Sequence, residues 1–322
     1  MIGLVDVVVA GAINWDINLF VGKFPRPGEE TAVHNITRLP GGKAGNVAVA
    51  AAKLLGPDRV GILGALGRDD IADTQIRLLQ SEGVDTSAIS LKDETESGQA
   101  YIVTDESGEN VIHTYFGANA MLAPTDVLGK TCAEMIRFSR ITAITDPPPE
   151  TVETITRVAQ EADRPIAWDP GIRARAGMGR LRGMLLRVSY LFLNEVEVEY
   201  MTGVKDPPEA VRRLLAMNPE LKVIMKSGKE GCTMFMEQTE TRIPGIDLAK
   251  HGLRVVNTVG CGDAFLGAFS AAKALSLVDE EALLWANWAG ALKATKPETR
   301  GSPTRNELEK WMTSAGTLQS QR

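Results

Sequence analysis

The sequence predicts an α/β fold in three layers, a central, mostly parallel sheet flanked by helices, with a small β-sheet added as a lid. Three observations carry this expectation. Short apolar runs at 141–144, 165–168, 190–193 and 222–225 alternate with stretches of helical character at 150–161, 177–187 and 195–216. That order builds a parallel sheet through right-handed crossovers. Val7-Val8-Val9-Ala10 is apolar throughout, as a strand covered on both faces must be. Residues 99–104 and 110–116 are β-type runs around the polar turn Asp105-Glu106-Ser107-Gly108-Glu109, the pattern of a hairpin outside the regular alternation.

Taken in order, the first strand at 7–10 ends in the polar group Asn14-Trp15-Asp16. Residues 17–21 and 31–37 alternate loosely, as exposed strands do, around the turn Pro25-Arg26-Pro27-Gly28. The Ala- and Val-rich stretch 44–55 predicts a helix stopped by Gly56-Pro57. A strand at 60–65 and a helix at 70–82 closed by Gly83 follow. After the hairpin and the alternating region, short β-runs occupy 232–257, and helices are expected at about 262–275 and 279–294. The chain thus reads as one domain, 1–313, whose lid comes from about 14–38 and 97–117. Residues 314–322, small and polar, read as a flexible tail.

Composition removes several classes of function. Among 322 residues, 35 Lys and Arg stand against 41 Asp and Glu, a net charge of -6. That balance argues against a sequence-blind nucleic-acid surface, which needs a basic footprint. The three cysteines, Cys132, Cys232 and Cys261, lie far apart, which fits a reducing, cytoplasmic setting rather than a disulfide scaffold. Three histidines do not make a His-rich metal site. No apolar run is long enough to span a bilayer.

Two glycine-bearing segments carry the chemistry. In Asn257-Thr258-Val259-Gly260-Cys261-Gly262-Asp263, a Gly-x-Gly turn opens an apolar helix. Such a turn bares backbone N–H groups at the positive end of the helix dipole, a cradle for an anion. Asp263 inside it has two readings: a helix cap, or a base for a hydroxyl attacking an anion held by the same amides. Pro40-Gly41-Gly42-Lys43-Ala44-Gly45-Asn46 opens another helix. Its glycines permit close backbone approach, and Lys43 and Asn46 offer donors unless Lys43 faces solvent. Neither a dinucleotide-binding Gly-x-Gly-x-x-Gly nor a P-loop is present, which disfavours a dehydrogenase.

These segments resemble the two signatures of the ribokinase-like (PfkB) family of carbohydrate and nucleoside kinases, and the likeness extends over residues 5–313. Gly41-Gly42-Lys43-Ala44-Gly45-Asn46 resembles the N-terminal signature and 257–263 the C-terminal one; 215 positions separate Gly42 from Asn257. Gly64-Ala65-Leu66-Gly67-Arg68-Asp69-Asp70 resembles the family's strand-to-helix turn. The resemblance implies a ribokinase-like fold and ATP-dependent transfer of a phosphoryl group. It makes Asp263 the catalytic base and the amides of Gly260, Cys261 and Gly262 the anion hole. Asn14, Asp16, Gly41, Gly42, Lys43 and Asn46 would hold the sugar, with Asp169 and Arg173 nearby. Asn194, Lys226, Gly228, Gly231 and Asn287 would contact ATP. Glu197, in Asn194-Glu195-Val196-Glu197, would hold Mg²⁺ through water, unless these glutamates form only a solvated helix face.

The family's C-terminal signature begins with Asp where this chain has Asn257, which puts activation by a monovalent cation such as K⁺ in doubt. The residues 116–120, Asp146-Pro147 and Trp168-Asp169-Pro170-Gly171 look closest to archaeal-type nucleoside kinases. The resemblance therefore implies a nucleoside or ribose phosphorylated at a primary (5′) hydroxyl. A hexose, a fructose phosphate or 2-keto-3-deoxygluconate is the alternative acceptor, and a non-catalytic sugar or nucleotide sensor the alternative class. It also implies a homodimer formed through the lid.

Overall fold

The computed structural model describes residues 5–316. In chain order the elements are β1 (Val7–Ala10), β2 (Asn14–Val21), β3 (Val33–Gly41), α1 (Lys43–Leu55), β4 (Val60–Gly67), α2 (Asp70–Ser81), β5 (Val84–Lys92), β6 (Gly98–Thr104) and β7 (Asn110–Tyr115). There follow α3 (Pro124–Leu128), α4 (Lys130–Phe138), β8 (Ile141–Ile144), α5 (Pro149–Glu161), β9 (Ile166–Trp168), α6 (Gly177–Arg180), α7 (Arg182–Leu185) and β10 (Tyr190–Leu193). The chain continues with α8 (Glu195–Thr202), α9 (Pro207–Met217), β11 (Lys222–Lys226), β12 (Gly231–Phe235), β13 (Glu240–Pro244), α10 (Cys261–Ala274), α11 (Asp279–Ala294) and α12 (Arg305–Ser314).

Nine strands form one sheet in the order β13-β12-β11-β10-β9-β8-β1-β4-β5. From β11 to β5 every neighbouring pair is parallel; β12 and β13 add an antiparallel edge. Successive side chains on a strand point to opposite faces, and the core divides accordingly. Val7 and Val9 of β1, with Tyr190 and Phe192 of β10, pack toward α1, α10 and α11. Val8, Ala10, Leu191 and Leu193 pack toward α5 and α9 on the other face. The result is the expected three-layer α/β body. Both central strands are apolar at every position because neither face meets water.

The second sheet has the order β3-β2-β6-β7, with β2 and β6 parallel and the outer pairs antiparallel. Its strands begin nearer the body than the sequence suggests. β2 starts at Asn14, so Asn14 and Asp16 lie on a strand of this sheet rather than in a polar stop after β1.

Two helical expectations are corrected, and four elements are additional. The single helix expected over 195–216 is two, because Gly203 adopts a left-handed conformation (φ 71°) and Pro207 restarts the chain as the first residue of α9. The helix expected over 177–187 is two one-turn pieces preceded by a 3₁₀ turn at 171–176, with glycines at 177, 179 and 183 lowering helical preference. α3, α4, α12 and the edge strand β5 were not expected. The expected tail begins at 314, where α12 ends; residues 317–322 lie outside the described residues.

Candidate active site

The carboxyl ends of β1, β8, β9, β10 and β11 converge on one side of the large sheet. There they deliver the loops bearing Asp146, Asp169 and Asn194, the connection from β1 into Asn14 at the start of β2, and the strand-terminal Lys226. Such edges are where open α/β sheets bind ligands. α1 and α10 start at the same place, and Asn46 of α1 donates to Asp263 Oδ2 of α10 at 2.7 Å. The two glycine-bearing segments, distant in sequence, therefore meet side chain to side chain.

The geometry bears on the cap reading of Asp263. The N-cap of α10 is Gly260, in left-handed conformation (φ 86°), and no side chain caps the helix. The Asp263 carboxylate turns away from its own helix toward Asn46. Among the described residues, the N–H groups of Gly260, Gly262 and Asp263 find no acceptor, whereas that of Cys261 closes a turn onto Thr258 O at 3.2 Å. Free amides at the positive end of a fourteen-residue helix suit an anion. Burial raises the Asp263 carboxyl above the ordinary range, partly offset by Lys43 and the Asn46 bond.

Asp169 is 3 % exposed. It ion-pairs with Lys226, and Lys43 Nζ lies 3.6 Å from its other oxygen. Burial opposes its charge, but Lys226 and then Lys43 outweigh that and hold the carboxyl below its ordinary value. Asp169 in turn is the main influence keeping the Lys43 ammonium above its ordinary value. Lys43 thus points into the cluster rather than simply into solvent, and its charge also acts on Asp263.

Asp16, 8 % exposed, lies against Gly41 so closely that any side chain at 41 would collide with its carboxylate. Gly42 has φ 84°, and an added Cβ would fall 2.6 Å from Ala12 O. The glycine pair therefore lets β3 turn into α1 directly beside Asp16. Burial, with Asp263 adding to it and Arg300 opposing, raises Asp16 to about 7. Asn14 is held by Asn119, whose Nδ2 donates to Asn14 Oδ1 at 2.8 Å. Arg173 donates to Asp146 O at 3.2 Å and sits 5.9 Å from the Phe116 ring centre. It thereby links the large sheet's edge to the chain leaving β7.

On the other side of α10's first turn lies a cleft of about 800 Å³, bordered by Lys226, Gly228, Gly231, Gly262, Phe265 and Asn287 among others. Asn287 Nδ2 donates to Pro244 O at 2.8 Å, and this fixes its amide at the wall. Asn194 and Glu197 form a capping box: Glu197 N–H donates to Asn194 Oδ1 at 2.8 Å and Asn194 N–H to Glu197 Oε2 at 2.9 Å. They are therefore not a merely solvated face, and one Glu197 oxygen stays open. No group of three or more His, Cys, Asp or Glu that could cage a metal exists among the described residues. A single open carboxylate oxygen fits Mg²⁺, which keeps its waters and takes few protein ligands.

Sequence reasoning missed Arg300, Asn119 and Lys293. Arg300, 8 % exposed, donates to Gly41 O at 2.8 Å, Gln75 Oε1 at 3.1 Å and Asn46 Oδ1 at 3.3 Å. It underpins the residue that holds Asp263. Its only sequence signal is an arginine beside Gly301 just after a helix.

Residues 5–306 match the pfkB family of carbohydrate kinases. An ATP-dependent ribose-1-phosphate kinase of Halopiger xanaduensis is 30% identical over 301 residues, covering 94% of this chain and 96% of that one. Bacillus subtilis ribokinase is 30% identical over 305 residues, covering 94% and 98%. The structure of Arabidopsis thaliana ribokinase complexed with ribose and ATP superposes with a TM-score of 0.84 at 26% identity, covering 94% of this chain and 97% of that one. With its two signatures brought together as Asn46 and Asp263, and with matches along almost its whole length, the chain belongs to the pfkB family of carbohydrate kinases.

Proposed function

We propose that the protein transfers the γ-phosphoryl group of ATP to the primary 5-hydroxyl of a ribofuranose, either free ribose or the sugar of a nucleoside. The observation that carries this is the placing of Asp263. A carboxylate raised by burial, fixed by Asn46 and set among free amides at a helix start has the polar groups Asp16, Lys43 and Asn46 near it and the cleft of about 800 Å³ at the first turn of its helix. The two relatives at 30% identity are named for ribose and ribose-1-phosphate, which supports a ribose-type acceptor, while the fructokinases among the relatives make a hexose the alternative.

In this reading Asp16, with Asn14, Lys43 and Asn46, grips the vicinal hydroxyls of the sugar and aims the primary hydroxyl at Asp263, with Gly41 and Gly42 forming the floor and Asp169 and Arg173 flanking it. The cleft holds ATP, with Asn287 at the base end and Lys226, Gly228, Gly231 and Asn194 along the phosphates. Asp263 accepts the hydroxyl proton as the oxygen attacks. The turn at 260–262, with the adjacent Asp263 N–H, receives the negative charge of the transferring group. Positioning and charge neutralisation of this kind dominate phosphoryl transfer. The open oxygen of Glu197 would hold Mg²⁺ through water, and the ion would supply positive charge against the ATP phosphates. The second sheet, carrying Asn14 and Asp16, acts as a lid that keeps water from the phosphoryl group. Three unpaired cysteines suit a reducing compartment such as the cytoplasm.

The lid's outer face supports a homodimer. Ile36, Leu19, Val103 and Val111 are register partners across its four strands, on the face opposite Asp16. Ile36 and Val111 are 44 % and 43 % exposed. An apolar row of this kind is covered by a second copy.

The base assignment is tested by Asp263→Asn. Turnover should fall by about 10²–10⁴-fold, the worth of a positioned base, while the dissociation constant for ATP stays near that of the parent protein. Turnover within a small factor of the parent would remove Asp263 from this role.

A further inference from the structure

Lys293 is a fully buried charge that the proposed chemistry leaves unused. It lies in the last turn of α11 and is 0 % exposed. Among the described residues it forms no ion pair. Its ammonium donates instead to two backbone carbonyls, Asn257 O at 2.9 Å and Lys296 O at 3.5 Å. Removing an ammonium from water is costly unless its charge is answered. Here the answer comes from carbonyl dipoles and from the negative end of α11. Carbonyl oxygens gathered in this way are the ligand set that a small monovalent cation takes.

Those carbonyls belong to the two segments that frame the start of α10. Val256 N–H and Asn257 N–H both donate to Ala294 O, at 2.7 and 3.1 Å. Asn257 Nδ2 donates to Pro297 O at 2.7 Å, and Asn257 Oδ1 accepts from Val259 N–H at 2.9 Å. The next residues are the Gly260–Gly262 turn with its free amides. An ionised aspartate at 257 would have no proton to give Pro297 O. The neutral asparagine and the buried lysine therefore belong together: one closes the loop without adding negative charge, the other supplies the positive charge.

We propose that Lys293 is the built-in cation of the 257–262 loop, its tethered ammonium holding the anion hole in shape where a dissociable monovalent ion would otherwise be needed. It is a positioning residue, acting through the loop backbone. The Cys261 thiol, Glu298 and Asp263 are the titratable groups that favour its charge, against burial. The inference rests on reading 260–262 as the anion hole.

The test uses the full chain. Turnover of the parent protein is measured in K⁺, Na⁺ and tetramethylammonium salts at equal ionic strength, and is expected to be the same in all three. Lys293→Ala should lower kcat by about 10²-fold, the scale of a misplaced catalytic group, with acceptor KM little changed. Added K⁺ or NH₄⁺, but not tetramethylammonium, should restore part of the loss. A parent enzyme that needs K⁺ overturns the proposal. So does a variant with unchanged kcat, or one whose lost activity no small cation restores. If the variant does not fold, the salt series on the parent protein still decides. Loss of the anion-hole reading itself would appear separately, as Asp263→Asn retaining turnover.

Discussion

At the scale of single residues, the site balances three carboxylates, Asp16, Asp169 and Asp263, against three cations, Lys43, Lys226 and Arg300. The balance is unequal, and Asp16 bears the strain. Its carboxyl is raised to about 7 in the folded chain, so folded protein keeps a proton that the unfolded chain releases near the ordinary value of 3.8. By linkage, stability is lost as pH rises from about that ordinary value through 7. Asp16→Asn cannot ionise and should lack this loss. Its melting temperature relative to the parent should be higher at pH 8 than at pH 5, each kcal/mol being worth about 2–4 °C at domain sizes near this one. Parallel pH profiles by calorimetry would show that Asp16 is not under strain. The residues found from sequence were those that sit in short motifs at helix starts and strand ends: Asp263, Asn46, Lys43, Asp169 and Lys226. Arg300 was invisible because its partners Gln75 and Asn46 lie 225 and 254 positions away and no local spacing announces them. Lys293 reads on sequence as one more lysine at a helix end.

At the scale of elements, the buried strands were legible and the punctuated helices were not. Runs such as Val7–Ala10 and Tyr190–Leu193 are apolar at every position because both faces are covered. β5, at the sheet's edge, mixes Asp85, Thr86, Ser87 and Ser90 into its run and gives no clean signal. Gly203 broke a helix that periodicity alone would have continued. Gly267 shows the opposite case, a glycine inside a helix that is needed for packing. A Cβ there would lie 2.6 Å from Ala50 Cβ and 2.7 Å from Val47 O, so α10 and α1 approach closely only because position 267 is bare. Gly267→Val should destabilise the fold by about 1–3 kcal/mol, the usual penalty of overpacking, visible as a lower denaturant midpoint. Because α1 and α10 carry Asn46 and Asp263, turnover should fall as well. An unchanged midpoint would mean that the two helices separate without penalty.

At the scale of the whole molecule, the sequence disclosed the layered body and the extra sheet, but not how the sheet's register sorts its side chains. Only the pairing shows that Asp16 faces the site while Leu19, Ile36, Val103 and Val111 line up on the reverse. Val111→Asp places a charge in that row and should turn a dimer into a monomer in sedimentation velocity; a parent protein that sediments as a monomer would contradict the dimer. The central claim is that this molecule phosphorylates a ribofuranose hydroxyl, and ATP consumption measured over a panel of acceptors tests it most directly. With Mg²⁺ present, ribose or a nucleoside should stimulate consumption far more than hexoses, fructose phosphates or 2-keto-3-deoxygluconate, with the new phosphate on the 5-oxygen. Stimulation by a hexose or keto-deoxy acid alone, or by no acceptor at all, would contradict it.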